Sequence, residues 1–173
     1  MCASNKFTWN GSWVGCGVGE EEPRIDDFNA SKTKFEYKLD FLTDVDFSNL
    51  MQLVNIVGKT SGTYLLDNGD GRQAYCDLCQ DVILDCIGGD TFVAAKGDTE
   101  FGSFVSFGKI EDCGGKRFLT LARRYISKGD CRLSLATPKD VFSHCRDKIG
   151  ETELGAVSFF NCLPYRLAEK LKK

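Results

Sequence analysis

The eleven residues Lys32–Leu42, KTKFEYKLDFL, decide the fold class. Phe35, Tyr37, Leu39 and Phe41 occupy every second position, and Lys34, Glu36, Lys38 and Asp40 stand between them. Successive side chains of an extended chain point to opposite faces. A period of two therefore puts apolar groups on one face and charges on the other. That pattern predicts an antiparallel strand with one face on a core and one in water.

The neighbouring segments repeat this habit. KFTWNGSWVG alternates around Phe7, Trp9 and Trp13, with Asn10-Gly11 as a turn signal. GTYLLDNGDGRQAYC carries Asn-Gly and Asp-Gly, pairs that tolerate positive φ, and reads as a hairpin. DVILDCIG, TFVAAKG, GSFVSFGKIE and KRFLTLARRYI add four short runs rich in β-branched and aromatic residues. DVDFSNLMQLVNIVGK is mixed. Leu53 to Val57 suit a strand, and the part before them suits a helical turn capped by Asp46 or Ser48. Strands spaced this closely, with no helices between, pair antiparallel. The expectation is a mainly β chain: a single antiparallel β-barrel or curved sandwich of about eight strands over residues 1–137.

The pattern changes at residue 138. TPKDVFSHCRDKIG offers Thr137 as a cap, Pro138 at the first helical position, Asp140 in the first turn and Gly150 as a stop. Val141, Phe142, Cys145 and Ile149 share one face at helical spacing. PYRLAEKLKK, from Pro164, reads as a second, basic helix. Residues 138–173 are thus expected to form a C-terminal helical segment.

Bulk properties exclude several function classes. A chain of 173 residues with 42% apolar content can bury one core. Thirteen phenylalanines suit a core or cavity wall built of flat rings. A net charge of −3 lacks the basic surface that nucleic acid demands, so no nucleic-acid partner is expected. No stretch approaches the ~18 apolar residues of a membrane span. The opening MCASNKFTWN has no apolar run after a basic start, so no signal peptide is expected. Nine cysteines, an odd number, then read as reduced thiols of a cytoplasmic protein.

The motifs that could carry chemistry fail one by one. GDTEFGSFVSFG (97–108) has phosphate-loop glycines but no lysine in place and no following helix, so it reads as a turn leading into a strand. Its glycines let the chain bend or let rings lie on bare backbone. Cys76 and Cys79 form a CxxC pair with no second pair to close a zinc site, so no metal is expected. DNGDG puts glycines where a calcium loop needs oxygen ligands. His144 adjoins Cys145, and adjacent helix residues do not face each other. The acids from Glu20 to Asp27 read as a solvated loop or a docking surface for a basic partner.

Arg123 and Arg124 are the informative oddity. Adjacent strand residues point to opposite faces, so one arginine is expected to turn inward. An inward arginine needs a carboxylate, an aromatic face or a bound anion.

Gly11-Ser12-Trp13 on the first strand, an arginine on the last and a helix after it resemble the G-x-W signature and element order of lipocalins and the wider calycin superfamily. The resemblance implies an eight-stranded antiparallel barrel with a basic residue packed over Trp13. It also implies an apolar cavity for a small hydrophobic ligand, or a protein partner. Trp13, Arg123 and Arg124 carry that likeness, and Phe35, Tyr37, Phe41, Phe104 and Phe107 complete the candidate ligand-binding set. The first reading is a non-catalytic cytosolic subunit or adaptor making protein–protein contacts, and the alternative is an intracellular calycin-like carrier of a small hydrophobic ligand. Neither needs a cofactor or catalytic residues. An enzyme using a cysteine or a carboxylate pair is the third reading.

Overall fold

A computed structural model describes residues 4–15, 23–67, 71–126 and 137–150. Within them, seven strands form one antiparallel sheet in which each strand pairs with the next in sequence: β1 (Ser4–Ser12), β2 (Lys34–Val45), β3 (Ile56–Asp67), β4 (Arg72–Ile87), β5 (Asp90–Thr99), β6 (Gly102–Cys113) and β7 (Lys116–Tyr125). The meander curls into a half-barrel. A short helix, α1 (Ile25–Ala30), stands between β1 and β2, and α2 (Pro138–Gly150) follows the sheet.

The mainly β expectation holds, with four changes of boundary. Asn10-Gly11 does not turn: both residues lie inside β1, opposite Glu36 and Phe35. AYC and DVILDCI belong to one strand of 16 residues, β4. Part of the acidic stretch is helical, because Ile25–Ala30 form α1 with Asp26 and Asp27 exposed in its first turn. Leu53 precedes β3, in a loop whose 3₁₀ turn (Leu50–Gln52) takes the place of the expected helical turn. The centre of the DNGDG turn, Ile149's side chain and the helix predicted from Pro164 lie outside the described residues.

Glycine makes the curl and the turns possible. Gly88-Gly89 and Gly114-Gly115 join β4 to β5 and β6 to β7, all four with positive φ, as two-residue hairpins of matching twist require. A Cβ on Gly62 of β3 would stand 2.1 Å from the Glu36 carbonyl oxygen, and one on Gly108 of β6 1.9 Å from that of Thr120. Only bare backbone lets neighbouring strands lie this close.

Alternation gives the sheet two apolar faces. On the outer face, Val141, Phe142 and Cys145 of α2 pack on Ile83, Phe92, Ala94, Val105 and Phe107. A reciprocal cap starts α2: the Asp140 amide donates to Thr137 Oγ1, and the Thr137 amide donates to Asp140 Oδ2. On the inner face, Leu39, Phe41, Val45, Val82, Leu84, Val93, Ala95 and Ile110 form the core of the curl. The loop after β2 closes one end. Leu53 is buried there, Phe47 packs against Phe7 and Phe41, the Arg117 Nε donates to the Phe47 carbonyl, and Thr91 Oγ1 donates to the Leu50 carbonyl.

Candidate functional site

The other end of the inner face is built differently. A bulge in β4 sets its phase. Thr60 and Gly62 of β3 are two residues apart, while their partners Gln80 and Asp77 are three apart. The extra residue turns both Asp77 and Gln80 toward the inside.

Asp77 is the centre of a buried polar cluster. Its Oδ2 accepts from the Tyr37 hydroxyl at 2.5 Å, Gln80 Nε2 at 2.5 Å and Arg123 Nη1 at 2.8 Å. Arg123 Nη2 also donates to Gln80 Oε1 at 3.3 Å. The guanidinium lies 3.9 Å from the centroid of the Phe104 ring. Phe104 in turn covers Gly97, where a Cβ would stand 2.8 Å from its Cζ. The glycine stretch 97–108 turns only at Glu100–Phe101, because Gly97–Thr99, expected in the turn, still belong to β5; Gly102, with φ of 116°, opens β6, and Gly97 lets a ring lie on backbone as its sequence suggests. The inward arginine has found both a carboxylate and an aromatic face.

Three buried polar atoms in this region have no hydrogen-bond partner: Asp77 Oδ1, Ser106 Oγ and Thr60 Oγ1. Thr60 pairs across the sheet with Gln80, and Ser106 with Arg123, so all three border the same cluster. Burial raises the Tyr37 phenol far above its ordinary range, the Arg123 charge opposing and Asp77 adding to the rise. The Tyr64 phenol is raised too, by burial first and then by Tyr125, Asp77 and Tyr37. Burial opposes the Arg123 charge, but Tyr37 and Asp77 outweigh it and hold the guanidinium protonated.

Rings surround this polar floor. Trp9 meets Phe35 at 4.6 Å and Tyr37 at 5.9 Å between centroids. Opposite them, Tyr64 stacks on Tyr75, Tyr75 meets Phe101, Phe101 meets Tyr125, and Tyr125 meets Phe104. Phe101 and Tyr125 are 45% exposed, whereas Phe104 is fully buried, so the chain of rings runs from solvent down to the Arg123–Asp77 pair. Trp13 stands at the same end, its indole N–H donating to the Leu65 carbonyl at 3.0 Å.

Of the sequence-predicted set, Trp13, Phe35, Tyr37, Phe104 and Arg123 gather at this mouth. Phe41 is on the inner face but deep in the core beyond it. Phe107 packs under α2, and Arg124, next to Arg123 in the strand, falls on the outer side. The basic residue that the calycin likeness sets over Trp13 lies on Phe104 when it is Arg123. Sequence reasoning missed Asp77, Gln80, Ser106 and the rings Tyr64, Tyr75, Phe101 and Tyr125. Asp77 was hidden inside CDLC, whose Cys76 and Cys79 are both exposed. Among the described residues no three His, Cys, Asp or Glu side chains gather as metal ligands, and no helix is long and apolar enough to cross a membrane.

Compared with known families, curated proteins and solved structures, the chain finds no match in any of the three.

Proposed function

We propose that this chain is a non-catalytic cytosolic binding protein that takes a small ligand with an apolar, ring-sized body into the mouth of its half-barrel, in the manner of a calycin. The observation that carries the reading is the chain of contacting rings descending to a buried polar cluster with unpartnered atoms. Flat rings give large apolar contact with little rotamer entropy to lose, and a few polar atoms at the base select orientation. Native mass spectrometry of the protein from its own source tests this. The proposal expects a bound small molecule, and expects Phe101→Ala with Tyr75→Ala to release it while the chain stays folded. A chain that carries nothing, and whose Trp fluorescence ignores a broad panel of apolar compounds, overturns it.

A second reading, a subunit or adaptor, draws on a different surface. Leu42 (76%) and Val57 (42%) are exposed one step beyond the Phe41–Gly58 pair, on the outer side of β2 and β3. Met51 and Val54 are also exposed in the nearby loop. Pull-down from the native source should return a stoichiometric protein that Leu42→Glu abolishes; the same partner retained by that variant removes this surface from consideration.

A further inference from the structure

The outer face of the sheet carries an apolar row that α2 covers only in part. Leu42 follows the inward Phe41, one step beyond the Phe41–Gly58 pair, and so lies beside Val57, which pairs in turn with Ile83. Exposure falls along this row from 76% at Leu42 through 42% at Val57 to 3% at Ile83, where α2 packs. Neighbouring strands lie about 4.8 Å apart. The uncovered part of the row is therefore an apolar stripe that continues an established helix–sheet contact.

Acids flank the stripe on both sides. Two residues along the strands in one direction, Asp40, Lys59 and Asp81 stand opposite one another in register. Two residues along in the other direction are Asp44 of β2 and Asp85 of β4. Lys59 reaches Asp81 at 3.4 Å, and Lys6 stands opposite Asp40. Asp85 Oδ1 accepts from the Asn55 and Cys86 amides. Asp44 precedes the inward Val45, is exposed, and has no ion pair among the described residues. The two flanks thus set four carboxylates against two ammonium groups.

The complement is an apolar stripe with cations on either side. Leucines three or four residues apart on a helix sit about 5–6 Å from each other, close to the spacing of Leu42 and Val57 across two strands. Lysines beside such leucines lay their stems on apolar surface and carry their charge outward to the acids. We infer that this face docks a basic amphipathic helix of a partner protein, its leucines on Leu42 and Val57 alongside α2 and its lysines toward the flanking aspartates. The inference rests on the subunit reading and names the partner that reading leaves open; the mouth plays no part in it.

Three peptides of one length, titrated into the full chain by calorimetry, test it: a leucine–lysine helix with its leucines in one stripe, the same helix with glutamate for every lysine, and a scrambled leucine–lysine order with the charge but no stripe. The striped basic peptide should bind about tenfold more tightly than either of the others. Leu42→Glu, at an exposed site, should keep the melting temperature and lose about tenfold in that affinity. Asp44→Asn should weaken binding a few-fold and flatten its salt dependence. The acidic or scrambled peptide binding as tightly, or Leu42→Glu binding as before, overturns the inference. So does a parent chain that dimerises where Leu42→Glu does not, which gives the face to a second copy. A Leu167→Asp, Leu171→Asp chain that binds the basic peptide more tightly than the parent gives it to the chain's own basic segment and overturns the partner likewise. The subunit reading is judged apart, by the pull-down: a native partner lost with Leu42→Glu while the basic peptide fails leaves that reading standing and removes the helix.

Discussion

Arg123 can leave water because four groups receive it. Asp77 supplies the charge, Gln80 a second acceptor, Phe104 a ring face, and Tyr37 fixes the carboxylate from the other side. Removing one member of a buried pair costs more than the pair contributes, since the survivor keeps its desolvation. Arg123→Ala should therefore destabilise the chain by about 3–5 kcal/mol, seen as a fall in melting temperature of roughly 10 °C. Arg123→Lys should recover less than half, because an ammonium cannot bridge Asp77 and Gln80 while lying flat on Phe104. A Lys variant as stable as the parent would remove the geometry from the explanation. Tyr37 and Tyr64 supply a pH dependence. Their folded phenols resist ionisation, while the unfolded chain ionises near pH 10. Their stabilisation is complete below pH 10 and is lost as pH climbs above it, because the unfolded state releases those protons first. Denaturant midpoints should fall above pH 10, and less steeply in Tyr37→Phe; an unchanged slope would show that Tyr37 is not held neutral.

Strands and turns carry the next level. β2 was legible from Lys34 to Phe41, because its inward residues there are all apolar and its outward ones charged; beyond them the exposed Thr43 breaks the period, and the strand runs on to Val45. α2 was equally plain from Thr137, Pro138 and Asp140, and its cap contributes about 1 kcal/mol; Thr137→Ala should lower the unfolding free energy measured in denaturant by that amount, and no change would deny the cap. β4 was not legible. One extra residue between Asp77 and Gln80 resets its phase, so no single period of two spans the strand and CDLC looked like a thiol motif. The strand glycines were seen but not their severity, which depends on which neighbouring backbone passes over them. Gly108→Ala places a Cβ against the Thr120 carbonyl, where backbone must move. It should cost about 1–3 kcal/mol or more, whereas Gly15, with open space around it, should accept Ala at little cost. Equal melting temperatures for the two variants would contradict the close strand approach.

At the scale of the molecule, the half-barrel has two unlike ends. The loop from Asp46 to Asn55 seals one with Phe47, Leu50 and Leu53. The other is lined by rings that reach solvent and stand over a polar floor. The sequence announced the rings in its phenylalanine count and the floor in its arginine pair. Tyr64 and Tyr75 face each other across the expected hairpin, but the sequence could not show that Phe101 and Tyr125 join them, since those two come from a later turn and the last strand. The most direct test of the account is aromatic ¹³C–¹H NMR of the full chain titrated with 2-phenylethanol. Shifts are expected at Trp9, Phe35, Tyr64, Tyr75, Phe101 and Tyr125, with Phe92, Phe107 and Phe142 beneath α2 unmoved. Shifts centred on those three outer rings, or none at saturating probe, would contradict it.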